Sequence, residues 1–100
     1  MTPPLPFTDD ALRAFCARWR IAEFSLFGSV LRDDFGPDSD VDVLVRFAPD
    51  GAWGLYDLLD LRDELTARFG RPVDLVDAAG LRNPFRRHRI LTTREVLHAT

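Results

Sequence analysis

The chain has 100 residues, of which 46% are hydrophobic and 29% are charged, and its formal net charge is −3. This length supports one domain with a modest core, and the composition excludes a disordered chain. No apolar run is long enough to cross a bilayer, and the first residues, MTPPLPF, lack the basic and hydrophobic regions of a signal peptide. Since the single Cys16 cannot build a disulfide framework, we expect a cytoplasmic protein.

The first half of the chain predicts one helix followed by two strands. Thr8 has the chemistry of a helix N-cap, and helically spaced apolar residues then predict a helix over about 9–20. The short apolar and aromatic run at 22–27 predicts a strand. Gly28 ends this strand, and a short helix is expected to start there, before a loop that contains Gly and Pro. Residues 40–47 predict the second strand.

The second half of the chain alternates helix and strand. An amphipathic pattern predicts a helix over about 54–69, closed by Gly70, and PVDLV predicts a third strand over 72–76. Pro84 can open a last helix, which runs to roughly residue 90. The segment REVLH, residues 94–98, fits either a short strand or an irregular tail. This order of elements argues for an α/β (α+β) fold, a small mixed sheet with helices mainly on one face.

Charge is divided unevenly along the chain. Residues 1–80 carry 15 acidic and 8 basic residues, whereas residues 81–100 carry five arginines and one acidic residue, Glu95. This basic tail could meet an anion, a phosphate or an acidic partner. Alternatively, it is a solvated helix face that pairs locally with acidic side chains.

Three aspartates are predicted to share one face of the sheet. Side chains alternate along a strand, so Asp40 and Asp42 point to the same face, about 7 Å apart. Asp74 alternates with apolar neighbours in the next strand and can point to that face as well. We expect this face to stay uncovered, because the chain is too short to build a lid over it. Taken singly, each aspartate could instead be a solvated strand residue.

Clustered carboxylates predict a cation. At pH 7 all three aspartates would normally be ionised, and their repulsion is unfavourable unless protons or cations neutralise it. Hard divalent ions prefer oxygen ligands, and two such ions stand about 3.5–4 Å apart in two-metal sites. Mg²⁺ usually completes its coordination with water and substrate phosphates, so a nucleotide is the expected guest.

The Gly28-Ser29 pair predicts the phosphate contact. Glycine permits close approach of the backbone, and the free N–H groups at the start of a helix face an anion. The Ser29 hydroxyl can donate to a phosphate oxygen, and Arg32, one turn later, could add positive charge. A Gly-Ser pair by itself could be any turn, so it indicates a phosphate contact only together with the aspartates that follow it.

With Gly-Ser followed after ten residues by Asp-x-Asp, the chain closely resembles the minimal nucleotidyltransferases of the DNA polymerase β superfamily. The stretch FGSVLRDDFGPDSDVDVLVRF matches the family signature throughout, including Ser39 before the first aspartate. GRPVDLVD matches the later segment with the third carboxylate, and the ending LRNPFRRHRILTTREVL is also similar. The resemblance covers about residues 22–97, and we expect residues 1–100 to form a single minimal nucleotidyltransferase domain.

The resemblance implies nucleotidyl transfer from an NTP to an acceptor hydroxyl. It implies that Asp40 and Asp42 hold Mg²⁺, with two ions expected, and that Asp74 joins the ion that activates the nucleophile. Gly28 would bind the nucleotide, which is expected to be ATP, together with three residues of the same motif, Ser29, Arg32 and Ser39.

Free-standing members of this size are commonly antitoxins of HEPN–MNT pairs, also called type VII, which transfer AMP to a tyrosine of the HEPN toxin. The expected partner is therefore a HEPN-type toxin from a neighbouring gene. A membrane and a directly bound nucleic acid are not expected. Two alternatives stay open: transfer to a small molecule or nucleic-acid end, and a non-catalytic antitoxin that acts by binding alone.

Overall fold

The computed structural model describes residues 7–28, 40–49 and 53–100. These residues form three α-helices and four β-strands, and the ends of the predicted elements shift by at most three residues. Residues 94–98, which the sequence left undecided, are largely a strand. The short helix expected after Gly28 lies outside the described residues. In chain order the elements are α1 (Asp9–Arg18), β1 (Ile21–Phe27), β2 (Val41–Phe47), α2 (Leu55–Phe69), β3 (Val73–Asp77), α3 (Pro84–Thr93) and β4 (Glu95–Ala99).

The helix ends follow local capping chemistry. The Thr8 hydroxyl accepts a hydrogen bond from the Ala11 N–H at 3.1 Å, which caps α1 as predicted. At its C-terminus α2 ends at Gly70, whose φ of 70° is the left-handed conformation that glycine adopts without a Cβ penalty. Asn83 caps α3 by accepting from two backbone N–H groups, and Pro84 occupies the first helical position.

The four strands form one mixed sheet in the order β3-β2-β1-β4. β1 pairs antiparallel with both β2 and β4, and β2 pairs parallel with β3. The order places β2 in the interior of the sheet, between β1 and β3. The start of β2 therefore lies beside the start of β3 and the end of β1.

Helices cover both faces of this sheet. Helices α1 and α2 pack on one face, as predicted, and α3 packs on the other, where Ile90 joins a cluster with Phe27 and Leu44. Leu44 follows Asp42 by two residues and shares its face, and it is only 1% exposed. The expectation that the carboxylate face stays uncovered is therefore wrong for this part, because α3 folds back over it. The larger cluster includes Leu12, Phe15, Cys16, Phe24, Leu26, Val43, Leu61 and Leu65.

A salt bridge fixes the end of α3 to the sheet. Arg94, the C-cap residue of α3, contacts Glu23 of β1 at 3.1 Å, and the two side chains are only 21% and 16% exposed. The Arg94 guanidinium also donates to the Leu91 carbonyl. These contacts join the last turn of α3 and the start of β4 to the centre of the sheet. Within residues 7–28, 40–49 and 53–100, every helix is too short or too polar to span a membrane.

Helices α1 and α2 are joined at the seam between them by Glu64. Its carboxylate accepts hydrogen bonds from the Arg18 guanidinium and, at 2.9 Å, from Trp19 Nε1. Trp53 extends this contact: its Nε1 donates to the Trp19 carbonyl at 2.7 Å, and the two rings lie 5.1 Å apart. The segment before α2 is thereby anchored to the end of α1.

Candidate active site

Two of the predicted carboxylates meet at the starts of β2 and β3. Asp42 and Asp74 are register partners in the parallel ladder, with Val41 opposite Val73 on one side of them and Val43 opposite Leu75 on the other. Partners in adjacent strands point to the same face and lie about 4.8 Å apart along the hydrogen-bonding direction. The structure therefore brings Asp42 and Asp74 to one place, as the alternation of each strand predicted.

Asp40 lies just outside this pair. It immediately precedes β2 and is exposed, whereas Asp42 is half-buried. The Val41 N–H donates to the Pro72 carbonyl at 2.9 Å, which fixes the entry of β2 against β3 next to Asp40. In the described part of the chain, no three His, Cys, Asp or Glu side chains approach closely enough to hold a metal ion. Asp40, Asp42 and Asp74 are therefore not gathered around one point.

The chemistry of these donors nevertheless fits Mg²⁺. This ion is usually held in proteins by one or two carboxylates, and water and substrate phosphates complete its shell. Asp42 and Asp74 supply two carboxylates in register, so a third protein ligand is not required at this site. Asp40, two residues before Asp42 and open to solvent, could add a further oxygen ligand.

Gly28 leaves the space that the Asp42 carboxylate occupies. It follows β1, whose last residue, Phe27, is the register partner of Asp42. A Cβ atom added to Gly28 would stand 2.2 Å from Asp42 Oδ2, closer than real Cβ atoms approach other atoms. Its φ of 73° is also left-handed, a conformation that favours glycine. The position thus requires glycine on two independent grounds.

The contact between Gly28 and Asp42 is a structural relationship that sequence reasoning missed. The sequence suggested that Gly28 allows a phosphate to approach, and it gave no reason to place this residue against a carboxylate. The antiparallel register of β1 and β2 creates the contact, and no local signal encodes that register. The other predicted nucleotide-binding residues, Ser29, Arg32 and Ser39, lie outside the described residues.

A cavity of about 230 Å³ lies at the opposite ends of β2 and β3. Its walls include Arg46 and Phe47 from β2, Asp77 from β3, Trp53 from the segment before α2, and Leu58 from the first turn of α2. Asp42 is four residues before Arg46 along the same strand, so the cavity is about 13 Å from the carboxylate pair. It is therefore separate from the carboxylate site.

Known proteins resemble this chain in sequence. A family model of the nucleotidyltransferase domain matches residues 9–97. Among relatives, the protein adenylyltransferase MntA of Thermococcus cleftensis is 36% identical over 66 residues, which make up 66% of this chain and 65% of that protein.

Two solved structures superpose on the fold. A crystal structure of a toxin–antitoxin with AMP-PNP has a TM-score of 0.74 at 20% identity, and the match covers 94% of this chain and 75% of that chain. A structure of a tri-AMPylated Shewanella oneidensis HEPN toxin in complex with an MNT antitoxin has a TM-score of 0.67 at 20% identity, with 92% and 70% covered. At these identities the likeness establishes the fold, which is the predicted polymerase β-like one. A structure of a minimal nucleotidyltransferase is 33% identical, with a TM-score of 0.70 and with 87% of this chain and 86% of that chain covered. The domain match over residues 9–97 shows that the chain belongs to the nucleotidyltransferase family, and this likeness places it among the minimal members.

Proposed function

We propose that this protein is a Mg²⁺-dependent adenylyltransferase that transfers AMP from ATP to a hydroxyl group of a partner HEPN-type toxin, and so acts as an antitoxin. The observation that carries the proposal is the register of Asp42 with Asp74, with Gly28 against the Asp42 carboxylate. A pair of carboxylates next to a glycine at a strand end suits a metal-bound triphosphate, because the metal and the backbone can hold the phosphates from two sides.

In this proposal each residue has a distinct role. Asp40 and Asp42 hold the metal, and Asp74 joins the ion nearest the acceptor hydroxyl. Gly28 gives the Asp42 carboxylate its space and lets the triphosphate approach the backbone, where Ser29 would donate a hydrogen bond. The bound Mg²⁺ would supply neutralising charge for the phosphates.

The reaction itself is a displacement at the α-phosphorus of ATP. The acceptor oxygen bonds to that phosphorus and gives its proton to solvent water, while the bond from the α-phosphorus to the bridging oxygen breaks and pyrophosphate leaves. The chain's contribution is to hold the phosphates in line with the acceptor and to balance their charge. Further along the motif, Arg32 and Ser39 are proposed to contact the nucleotide.

The choice of acceptor is supported by the relatives. One is a protein adenylyltransferase, and one solved neighbour is a complex in which an AMPylated HEPN toxin is bound to its antitoxin. The described part of the chain has no second domain that could bind a small-molecule acceptor beside the carboxylates. A partner protein that presents its own hydroxyl group meets that need.

The test is labelling of the partner. The protein is incubated with α-³²P-ATP, Mg²⁺ and the HEPN protein encoded beside its gene, and we expect label on the HEPN protein. Asp42→Asn and Asp74→Asn should each abolish the label. Asp60→Asn, the same chemical change at an exposed position of α2, should leave labelling intact. Equal labelling by Asp42→Asn and wild type would contradict the proposal.

A second candidate, an antitoxin that acts by binding alone, is favoured by one observation. The three aspartates are not gathered around one point in the described structure. A pure binder would neutralise the toxin equally well with Asp42→Asn, since that change leaves the surface of the fold intact. Toxicity rescue in cells by wild type but not by Asp42→Asn would exclude it.

A further inference from the structure

One segment of α3 and its entry stands out by its exposure. Each residue from 82 to 89 is exposed, whereas Leu81 and Ile90, on either side of the segment, are buried. The segment contains the most exposed large hydrophobic side chain in the described part of the chain, Phe85, at 85%. Four of its eight residues are arginines: Arg82, Arg86, Arg87 and Arg89.

These four arginines form no ion pair within the described part of the fold. Among the residues that the structure describes, the ion pairs of arginine involve other positions, and none involves a guanidinium of this segment. Arg94, the fifth arginine of the basic tail, is the one that pairs locally, with Glu23. The alternative of local pairing therefore holds for Arg94 but not for the four arginines before it.

Helical spacing places the aromatic and basic side chains together. Phe85 and Arg89 are four residues apart, and Arg86 and Arg89 are three apart, so these three side chains are neighbours on the helix surface. Arginine and aromatic residues are enriched at protein interfaces and dominate binding energy there. An exposed Phe beside two unpaired guanidiniums thus has the composition of an interface.

The position of this surface relates it to the carboxylates. The inner side of α3 packs through Ile90 onto Leu44, which lies two residues from Asp42 on the same face of the sheet. A molecule bound to the outer side of α3 would therefore lie on the same side of the sheet as Asp42 and Asp74, separated from the sheet by the helix, which is about 10 Å thick. This arrangement would bring an acceptor hydroxyl to the site from the side of α3.

We propose that the segment Arg82–Arg89 is the docking surface for an acidic segment of the acceptor protein, with Phe85 inserted into an apolar depression of that protein. The proposal rests on the proposed function only for the identity of the acceptor. Charge complementarity favours an acidic protein segment over nucleic acid. The basic segment is short, with about 9 Å of helix over residues 84–89, and residues 1–80 carry an excess of seven negative charges that would repel a long polyanion.

The first test removes charge from the surface. Binding of the neighbouring-gene HEPN protein is measured by calorimetry for wild type and for the double variant Arg86→Ala/Arg89→Ala. We expect Kd to rise at least about tenfold, with a weaker dependence on salt around 0.15 M. The matched control, Arg13→Ala/Arg62→Ala, removes the same charge from α1 and α2 and should change Kd by no more than about twofold.

The second test removes the aromatic anchor. Phe85→Ala should weaken binding about tenfold with little change in its salt dependence, because this contact is apolar. Tyr56→Ala is a matched control, since Tyr56 is 82% exposed on α2, against 85% for Phe85. Unchanged binding with both the Arg86/Arg89 and the Phe85 variants, or no binding by wild type, would overturn the proposal.

The labelling assay separates this inference from the proposed function. If docking is correct and the enzyme is active, the α3 variants raise KM for the HEPN protein and leave kcat unchanged. If no form labels the partner but the α3 variants still lose binding, the proposed chemistry fails and the docking surface stands. Binding of a labelled tRNA that the Arg86/Arg89 variant loses, with partner affinity unchanged, would assign the surface to nucleic acid instead.

Discussion

Gly28 and Asp42 are in contact across neighbouring strands, and the carboxylate of Asp42 occupies the place where any side chain at position 28 would begin. The Cβ of an alanine at that position would lie 2.2 Å from Oδ2 and 3.1 Å from Cγ of Asp42. The glycine and the carboxylate are therefore coupled: a change at residue 28 acts directly on a proposed metal ligand.

The first prediction follows from this coupling. Gly28→Ala should cost about 1–2 kcal/mol of unfolding free energy for its left-handed backbone, and it should also displace the Asp42 carboxylate and abolish nucleotidyl transfer. Gly70→Ala is the matched control, because Gly70 has nearly the same φ, 70°, but open space where its Cβ would stand. Denaturant unfolding measures the loss of unfolding free energy that both variants share. The rise in melting temperature on adding Mg²⁺ and ATP measures ligand binding, which only Gly28→Ala should lose. If Mg²⁺ and ATP raised the melting temperature of Gly28→Ala as much as that of wild type, Asp42 would tolerate a side chain at position 28.

The second prediction concerns repulsion between carboxylates. Asp74→Asn should raise the free energy of unfolding by about 0.5 kcal/mol without divalent ions, since like charges directly opposite each other across strands are destabilising. Added Mg²⁺ with ATP should reverse the order, because only the wild type keeps both ligands and gains stability by mass action. Melting temperatures with and without Mg²⁺ and ATP provide the measurement. The same order of stability in both conditions would argue against a shared cation.

The third prediction concerns pH and Glu64. Partial burial raises the pKa of this carboxyl, but hydrogen bonds from Arg18 and Trp19 and the charges of Arg18 and Arg68 outweigh burial, so its pKa lies below the ordinary value. A pKa lowered on folding means that the group stabilises the fold above its unfolded pKa, about 4.3 for Glu. This contribution is lost as the pH falls through the lower, folded pKa.

Glu64→Gln should therefore be less stable than wild type by about 1 kcal/mol at neutral pH. The difference should narrow in acid, below about pH 4.3. Urea unfolding followed by tryptophan fluorescence is a suitable measurement, because Trp19 contacts Glu64. A difference that stayed constant down to low pH would mean that the carboxylate charge is not what stabilises the seam.

The fourth prediction concerns Cys16. Burial raises the pKa of this thiol to about 12, and the side chain is fully buried between α1 and the sheet. Neither the thiolate nor a path to it exists in the folded protein, so alkylation at neutral pH should require unfolding. In denaturant the alkylation rate of Cys16 should match that of a free thiol. Without denaturant the alkylation rate should be lower by a factor equal to the folding equilibrium constant. Rapid native labelling would indicate that α1 opens locally.

The fifth prediction concerns a buried hydroxyl. Ser25 in the middle of β1 is fully buried, and among the described residues its Oγ has no hydrogen-bond partner. Leaving such a group unsatisfied costs about 1–3 kcal/mol, so Ser25→Ala should be neutral or stabilising rather than disruptive. Calorimetric melting tests this, with Leu26→Ala, a buried neighbour, expected to lower stability by about 2–5 kcal/mol. A clear loss of stability in Ser25→Ala would mean that the hydroxyl has a hydrogen-bond partner, such as a bound water.

What could be predicted from the sequence was carried by local periodicity. Alternation within two short strands placed Asp42 and Asp74 on one face, and the glycine at residue 70 marked the end of α2, because both signals lie within a few residues. The side of the sheet that α3 covers depends on Ile90 meeting Leu44, nearly half the chain away. Whether residues 94–98 form a strand depends on pairing with β1, which lies about 70 positions earlier in the chain. Neither relationship produces a local sequence pattern from which it could be predicted.

The pairing of β4 with β1 has a consequence for the order in which the chain is made. On the ribosome, β1 emerges early and can pair on one side with β2, but its other edge has no partner until the β4 residues are synthesised. Until then the central strand of the finished sheet is an edge strand with free N–H and C=O groups, the kind of surface that recruits other chains. The Glu23 carboxylate likewise cannot form its salt bridge until Arg94, 71 residues later, has been synthesised. The sheet thus cannot be completed until the β4 residues have been synthesised.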